Sequence, residues 1–241
     1  EVNPSLQTDA PSAWPVGARG AEFEIRGVRG SGGFGIVYLA WDHALERDVA
    51  LKEYMPGTLA GRGGDLSVSV RSTSMTETFA LGLRSFVNEA RMLARFDHPS
   101  LVKVYRFWEA NGTAYMVMPV LRGRTAYQLR REMPKPPSER WLRKLLTELL
   151  PALERLHAEN VYHRDIAPDN IQVDIHGKPV LMDLGAARHV IGNRTQSITA
   201  ILKPGYAPIE QYADAPGALR LAGQLSERLA HDSLEDTRMD R

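Results

Sequence analysis

The sequence predicts an α+β fold, with a β-rich N-terminal part that holds one helix and a second part that is mostly helical. Three observations predict it. Residues 23–55 alternate apolar and polar side chains in runs separated by turn residues, which is typical of strands. Apolar residues recur at helical spacing in 76–96 and again in 138–158.

The boundaries of these elements follow from turn and capping residues. Thr76 is the expected cap of the first helix, and Asn111-Gly112 is a typical turn of a β-hairpin. Residues 57–75 are rich in Gly and Ser, which indicates a loop with one short strand. The expected elements are strands at 23–30, 36–42, 47–55, 101–110, 113–121, 171–175 and 179–183, and helices at 76–96 and 138–158.

Composition excludes several classes of function. The chain has 241 residues, with 30 Lys plus Arg against 29 Asp plus Glu, so its net charge of +1 gives no strong field for nucleic acid. It has no cysteine, which excludes disulfides, thiolate metal sites and cysteine nucleophiles and suits a reducing cytoplasm, the expected location. No apolar run approaches the roughly 20 residues that span a bilayer, so we expect no membrane segment in this chain.

A glycine-rich motif opens the first hairpin at Gly30-Ser31-Gly32-Gly33-Phe34-Gly35. Alone, this G-x-G-x-x-G pattern is weak, since such runs occur in flexible turns as well as in dinucleotide sites. A dinucleotide site needs a helix after the last glycine, whereas here the strand pattern continues from Ile36. The order favours a glycine-rich hairpin that covers a triphosphate, because glycines let backbone N–H groups approach phosphate oxygens closely.

Two further motifs supply charged groups. Lys52 lies on the third strand, where strand alternation places it on the same face as Ala50. Further on, His163-Arg164-Asp165 is followed by Asn170 and then by Asp183-Leu184-Gly185. A lysine for phosphates, a carboxylate that accepts a hydroxyl proton, and Asn and Asp oxygens for magnesium are the groups that phosphoryl transfer requires.

With these motifs in this order, residues from about Phe23 to Tyr212 resemble the eukaryotic-type Ser/Thr protein kinases of bacteria. The resemblance implies a bilobal protein-kinase fold that transfers the γ-phosphoryl group of ATP, with Mg²⁺, to Ser/Thr hydroxyls of a protein substrate. Self-association for autophosphorylation is also expected, and nucleic acid is not an expected partner. The implied domains are a disordered tail 1–22, a kinase domain 23–212 (N-lobe about 23–118, hinge 119–123, partial C-lobe 124–212) and an atypical tail 213–241.

The resemblance also implies a role for each motif residue. Lys52 pairs with Glu89 and binds phosphates, Asp165 is the catalytic base, and Asn170 with Asp183 holds the metal. The implied ATP-binding residues are Gly30, Ser31, Gly32, Gly33, Phe34, Gly35, Val37, Ala50, Lys52, the gatekeeper Met118, and Pro119 and Leu121 of the hinge.

Three positions depart from the family pattern. Ala167 stands where Ser/Thr kinases normally carry a lysine that touches the γ-phosphate, and Lys203 stands where a threonine normally contacts the catalytic Asp. We hypothesise that the two changes are linked and that Lys203 replaces the missing charge as a catalytic residue; a solvated loop lysine is the alternative. Gln172 occupies a usually apolar position under adenine, where it either forms a hydrogen bond or packs through its stem.

The activation segment offers candidate phosphorylation sites. In such kinases the arginine before the catalytic Asp, here Arg164, often receives a phosphate from this segment. Thr195, Ser197 and Thr199 are the candidates, with Thr199 best placed, and ordinary polar loop residues are the alternative.

The residues after Glu210 do not match the long buried helix of the family, so we expect an incomplete C-lobe, explained by a frameshift or a truncation. Two functions therefore compete: an active Ser/Thr kinase, and a catalytically impaired nucleotide-binding relic. A small-molecule phosphotransferase is a weaker third alternative, because the segment ending in Gly205-Tyr206-Ala207-Pro208 is typical of kinases that act on proteins.

Overall fold

In a computed structural model, the described residues are 12–33, 35–163 and 165–184, with the backbone of 188–189. The chain forms two compact units. The first runs to Arg95 and includes Lys103–Val120, and the second comprises Phe96–Val102 and the chain from Leu121 onward. The chain thus passes from one unit to the other within the segment 119–123, which we expected to be a hinge.

The first unit is built on an antiparallel sheet of six strands in the order β1-β2-β3-β4-β8-β7. Its strands and helix are β1 (Arg19–Gly20), β2 (Phe23–Gly32), β3 (Gly35–Asp42), β4 (Arg47–Tyr54), β5 (Ala60–Arg62), β6 (Val68–Val70), α1 (Thr76–Leu93), β7 (Arg106–Ala110) and β8 (Thr113–Pro119). Alternate side chains of β3 are buried, including the fully buried Tyr38. The central strand β4 is buried on both faces over most of its length, including the consecutive residues Val49, Ala50 and Leu51.

Two local predictions in this unit differ from the structure. Residues 57–75 hold two short strands, β5 and β6, which pair as a hairpin. The N-cap of α1 is Met75, which makes no side-chain capping bond, and Thr76 is the first residue of the helix. The turn between β7 and β8 follows the prediction, since Asn111 and Gly112 have φ of 53° and 72°, as a type I′ turn requires.

Residues 12–22 differ from the sequence prediction of a disordered tail through residue 22, and residues 1–11 of that tail lie outside the described residues. Trp14 is buried, and β1 pairs with β2. The amide of Gly17 donates to the carbonyl of Ile25 at 2.8 Å, so this segment adds backbone hydrogen bonds to the edge of the sheet. Its polar composition hid one large apolar side chain, and burial of a single Trp is enough to order a short segment.

The predicted strand 101–110 is shorter than expected, because its first residues belong to the other unit. Only residues 106–110 pair with β8. Leu101 instead bridges Leu181 in the parallel sense, and the amide of Val102 donates to the carbonyl of Leu181 at 3.0 Å.

The second unit combines helices with short strand pairs among its described residues. Its elements are β9 (Gly123–Thr125), α2 (Ala126–Glu132), α3 (Glu139–Ala158), β10 (Val161–Tyr162), β11 (Ile171–Asp174), β12 (Pro179–Leu181) and β13 (Arg188–His189). β11 pairs with both β12 and β9, and β10 pairs with β13. The helix predicted at 138–158 is α3, which begins at Glu139 because Ser138 is its N-cap, with the Ser138 side chain accepting from the amide of Trp141. The short helix α2 with its Thr125 cap was not predicted.

The core of this unit lies along α3. The buried residues Leu145, Leu149, Leu153 and Leu156 recur at helical spacing and form its apolar face. No helix among the described residues is long and apolar enough to cross a membrane.

Candidate active site

Lys52 and Glu89 form an ion pair within the first unit. The Nζ of Lys52 on β4 lies 3.3 Å from Oε1 of Glu89 on α1. Their side chains are only 14% and 5% exposed, so the charges interact in a medium of lower dielectric than water. The structure therefore brings together two residues that are 37 positions apart in the sequence, as the resemblance implies.

A glycine inside α1 lets this helix approach β4 closely enough for the pair to form. A Cβ on Gly82 would lie 2.1 Å from the hydroxyl of Tyr54, two residues beyond Lys52 on β4. That hydroxyl donates to the carbonyl of Phe79 at 3.1 Å, and the Tyr54 ring packs against the Phe79 ring with centroids 5.1 Å apart. Burial raises the pKa of Tyr54 to about 12, so the hydroxyl keeps its proton as a donor.

The glycine-rich hairpin contains glycines of two kinds. A Cβ on Gly35 would lie 2.2 Å from the carbonyl oxygen of Glu53, so the pairing of β3 with β4 itself requires a glycine there. A Cβ on Gly30, Gly32 or Gly33 would meet nothing within 4 Å. The packing of the chain therefore does not explain these three glycines, whereas the approach of a phosphate to their backbone N–H groups would. Ser31 is exposed beside them on β2, and Phe34 lies outside the described residues.

Strand register places four of the predicted ATP-binding residues on one face of the sheet. Val37 lies opposite Lys52, and Ala50 lies opposite Met118. Since side chains two positions apart on a strand share a face, these four residues line the same side. Pro119 is the last residue of β8 and lies opposite Val49, and as a proline it has no backbone N–H. Leu121 is the residue at which the chain enters the second unit after Val120.

In the second unit, Asn170 holds Asp165. The Nδ2 of Asn170 donates to the backbone carbonyl of Asp165 at 2.7 Å and to its carboxylate Oδ2 at 2.8 Å. Asn170 is buried, with 7% exposure, at the end of the short 3₁₀ turn Pro168–Asn170. Because Nδ2 makes both bonds, the amide orientation is defined and Oδ1 is the atom left to face a cation.

His163 and Met182 connect this loop to Asp183. The buried ring of His163 bonds the carbonyl of Met182 through Nε2 at 2.9 Å, and its Nδ1 accepts from the amide of Asp165 at 3.3 Å. A carbonyl only accepts, so the proton of the ring is on Nε2. The amide of Met182 in turn donates to the carbonyl of Asn170 at 2.8 Å.

Asp183 follows this anchor with φ of 52°, in the left-handed region that costs a non-glycine residue backbone strain. Buried Leu184 comes directly after it. The backbone thus turns at Asp183, and the hydrogen bonds of Met182 maintain the turn on its N-terminal side. Strained residues of this kind cluster at functional sites.

The departures from the family pattern are partly described. Ala167 is buried, and Gln172 is half-buried on β11, opposite Thr125 and Val180. The candidate catalytic residue Lys203, the phosphorylation candidates Thr195, Ser197 and Thr199, the preceding Arg164, and the tail 213–241 lie outside the described residues.

Sequence reasoning missed two residues in the surroundings of Lys52. Gly82 was read as part of an ordinary amphipathic helix, although a glycine in a helix interior costs stability and so signals close packing. Glu53 was passed over, yet it is fully buried among apolar strand residues. An acid that interrupts the apolar face of a central strand is a detectable signal, because a buried carboxylate needs partners.

The side-chain oxygens of Asn170 and Asp183 fit a magnesium ion that also binds substrate phosphates better than a metal ion held by protein ligands alone. Within the described ranges there is no group of three or more His, Asp or Glu residues that could hold a metal ion. Mg²⁺ keeps several waters and typically takes one or two carboxylates together with substrate phosphates. The oxygens of Asn170 and Asp183 are hard ligands of the required kind.

Comparisons with known proteins show to which family the chain belongs. The family model described as "Protein kinase domain" matches residues 23–211. The chain belongs to the protein kinase domain family, which confirms the fold that the sequence predicts. This family generally uses ATP and Mg²⁺.

The particular relatives are bacterial. Serine/threonine-protein kinase PknD of Chlamydia trachomatis serovar L2b is 31% identical over 175 residues, which are 68% of this chain and 17% of PknD. Serine/threonine-protein kinase PknA of Nostoc sp. is 33% identical over 199 residues, 78% of this chain and 32% of PknA. The chain thus spans a minor part of these relatives, and their names confirm the predicted class, bacterial Ser/Thr protein kinases.

Among solved structures, the chain is similar to the one titled "PpkA-294 apo form". The TM-score is 0.75 at 50% sequence identity, with 85% of this chain and 73% of that chain covered.

Proposed function

We propose that this chain is the catalytic domain of a protein kinase that transfers the γ-phosphoryl group of Mg-ATP to Ser or Thr hydroxyls of proteins. The observation that carries the proposal is the arrangement around Asp165. Its carboxylate receives the Asn170 amide at 2.8 Å, and hydrogen bonds join the same loop to Met182, next to Asp183. A base held beside two cation-binding oxygens is what phosphoryl transfer to a hydroxyl requires.

The residues of the first unit act on the nucleotide. Lys52 binds the α- and β-phosphates, and the carboxylate of Glu89 holds its ammonium in place. The backbone N–H groups near Gly30, Gly32 and Gly33 approach phosphate oxygens in the space that a side chain would otherwise fill. Val37, Ala50 and Met118 supply an apolar face for adenine, and Leu121 supplies a backbone N–H for its edge.

The residues of the second unit act on the hydroxyl and the metal. Asp165 orients the attacking hydroxyl and accepts its proton as the new P–O bond forms. The bond between the γ-phosphorus and the bridging oxygen to the β-phosphate breaks in the same transfer, and ADP leaves. The amide of Asn170 keeps the carboxylate in place through Nδ2 and offers Oδ1 to a cation, together with Asp183. Bound Mg²⁺ supplies positive charge against the phosphate oxygens.

A nucleotide-binding module with impaired catalysis is the second candidate, and one observation favours it. The Ser/Thr kinases that the chain resembles normally carry a lysine two residues after the catalytic Asp. In this chain that position holds Ala167, which is only 2% exposed. Lys203 is the residue that we propose to replace the missing charge. If it does so, Lys203→Ala loses most of kcat and keeps its affinity for ATP.

Autophosphorylation with Mg-ATP separates the two candidates. We expect incorporation by the wild-type chain and a loss of about 10²–10⁴-fold in Asp165→Asn, because this substitution removes the general base and leaves the shape of the side chain. ATP binding, measured by calorimetry on both proteins, should change little. The kinase proposal would be overturned if the wild-type chain binds ATP but incorporates no more phosphate than Asp165→Asn. The nucleotide-binding module would then be the remaining candidate.

The proposal includes partners and location. A protein substrate follows from the reaction, and association of two copies would allow phosphorylation of one by the other, with Thr199, Ser197 and Thr195 as candidate acceptors. Chain composition supports a cytoplasmic place of action, since there is no cysteine to require an oxidising compartment.

A further inference from the structure

A buried carboxylate lies on the face of β4 opposite Lys52. Glu53 is 0% exposed, and three side chains converge on it. The indole Nε1 of Trp14 donates to Oε1 at 3.3 Å, while the hydroxyl of Tyr38 and Nη2 of Arg62 donate to Oε2 at 2.7 and 2.6 Å. None of these four residues has a role in the proposed phosphoryl transfer.

The same residues attach the N-terminal segment to the sheet. The Nε of Arg62 donates to the carbonyl of Ser12 at 2.7 Å, and the amide of Trp14 donates to the hydroxyl of Tyr38 at 3.2 Å. The Trp14 ring packs edge-on against Tyr115, with centroids 5.9 Å apart, and lies against Gly20 where a side chain would clash. Residues 12–20 therefore belong to the first unit, although the family model begins at residue 23.

The charges of this cluster are complementary. Burial raises the pKa of Tyr38 above its ordinary value and that of Tyr115 to about 12, and the charge of Glu53 acts in the same direction. Burial alone would lower the pKa of Arg62, but the hydrogen bond and charge of Glu53 outweigh it and the pKa is raised. Glu53 thus faces a neutral phenol donor in Tyr38 and a charged guanidinium in Arg62.

The burial of a carboxylate at this position indicates that Glu53 fixes the orientation of the groups around it. Burying it costs desolvation, which only a complete set of donors offsets, and an apolar side chain would pack on the sheet without that cost. A fully satisfied buried network holds its members in one arrangement. On a strand, neighbouring residues point to opposite faces, so whatever holds Glu53 on one face also sets where Lys52 points on the other.

We propose that Glu53 is a positioning residue for Lys52. Its contacts with Trp14 and Arg62 hold β4 so that the ammonium of Lys52 reaches Glu89 and, resting on the proposed function, the phosphates of ATP. The N-terminal segment is then part of the nucleotide site through the backbone of β4, without touching the nucleotide.

The test compares substitutions in the full chain. Glu53→Gln removes the carboxylate charge, and Trp14→Phe keeps an aromatic ring but removes the indole donor. Asp48→Asn is the matched control, since Asp48 is also an acid of β4 paired with an arginine, Arg26 at 3.0 Å, but in solvent. Ile25→Val, a core truncation in β2, controls for loss of stability alone.

Two readouts are measured on each folded variant. The first is the rate at which an N-hydroxysuccinimide acetate reagent acylates Lys52 in the nucleotide-free protein, relative to exposed Lys144, followed by mass spectrometry. This ratio reports how firmly Lys52 is held and does not depend on kinase activity. The second is the Kd for Mg-ATP together with kcat at saturating ATP.

We expect Glu53→Gln to raise the acylation ratio about fivefold and the Kd about tenfold, with kcat lowered only about twofold. Trp14→Phe should move both readouts in the same direction by about two- to threefold, while Asp48→Asn and Ile25→Val stay close to wild type.

The proposal is overturned if the Glu53→Gln protein folds and gives the same acylation ratio and the same Kd and kcat as Asp48→Asn. If Glu53→Gln does not fold, an unchanged ratio in Trp14→Phe overturns it. If the wild-type chain does not bind ATP, the proposed function fails and the acylation ratio alone still decides this inference.

Discussion

Lys52 in the first unit and Asp165 in the second are held by contacts of different range. Lys52 pairs with Glu89, 37 positions away on α1, and the same helix packs Gly82 against the hydroxyl of Tyr54 on β4. Asp165 is bonded by Asn170, five positions away, and by His163, two positions away. The first arrangement therefore responds to changes far along the chain, and the second to changes inside one loop.

The strongest test of the local arrangement is Asn170→Ala. It removes both hydrogen bonds from Asn170 to Asp165 and the oxygen that we propose as a ligand of the cation, so we expect kcat to fall about a hundredfold or more. Asn160→Ala is the control, since it makes the same substitution in the same unit at a residue with φ of 57° and should cost stability rather than turnover. Steady-state kinetics of autophosphorylation measure both. Equal kcat values for Asn170→Ala and wild type would show that Asp165 does not need this support.

Within the glycine-rich hairpin, packing and ligand binding can be separated by a pair of substitutions. Gly35→Ala places a methyl group 2.2 Å from the carbonyl of Glu53, and we expect the free energy of unfolding to fall by about 1–3 kcal/mol. Gly32→Ala meets nothing, so its stability should stay within about 0.5 kcal/mol of wild type while its affinity for ATP falls. Denaturant unfolding and ATP titration measure the two effects. A stable Gly35→Ala protein would contradict the close approach of β3 and β4.

The long-range arrangement is tested at Gly82. Gly82→Ala should displace the Tyr54 hydroxyl and the helix, and so weaken ATP binding by about tenfold, even though alanine favours helices by about 1 kcal/mol. Adding Tyr54→Phe removes the atom that the new methyl group meets and should restore part of the affinity. Unchanged binding by Gly82→Ala alone would show that the Lys52–Glu89 pair tolerates a shifted helix.

The smallest expected effect concerns a group outside both arrangements. His157 on α3 stacks near Tyr162 at 5.1 Å, and its buried Nε2 has no hydrogen-bond partner within the described part of the chain. Burial lowers the pKa of His157, so the unfolded chain binds a proton more readily than the folded one. Stability should therefore decrease as the pH falls from about 7 to about 5. His157→Phe keeps a ring beside Tyr162, and urea unfolding at both pH values should show a weaker decrease; an equal decrease would exclude His157 as its source.

Much of the fold could be predicted because its signals are local. Alternation, helical spacing and turn chemistry within short windows predict β2, β3, β4 and β8 of the first sheet, both long helices and the Asn111-Gly112 turn. By contrast, β1 lies where a disordered tail was expected, and β7 is shorter than the predicted strand. The short helix α2 was missed because seven residues carry too little periodicity to register. The segment at Leu101 was predicted as the start of the strand 101–110, but Leu101 and Val102 bond to Leu181 within the second unit instead.

The candidate site divides in the same way. Spacing alone placed Asp165, Asn170 and Asp183 in one motif, and the hydrogen bonds among their neighbours agree with it. Gly35 and Gly32 belong to one motif, so spacing could not distinguish their roles. In the structure a Cβ on Gly35 would clash with the backbone carbonyl of Glu53, whereas a Cβ on Gly32 would contact nothing.

The sequence by itself determined the class of protein, the order of the motifs and the chemistry of each group, because these depend on residue type and short spacing. Only the tertiary structure decided that Trp14 and Arg62 meet at Glu53, and that Gly82 is where α1 approaches β4. The two contacts at Glu53 join residues that are 39 and 9 positions apart. The free energy that selects such contacts comes from burial and complementary charge in the folded chain.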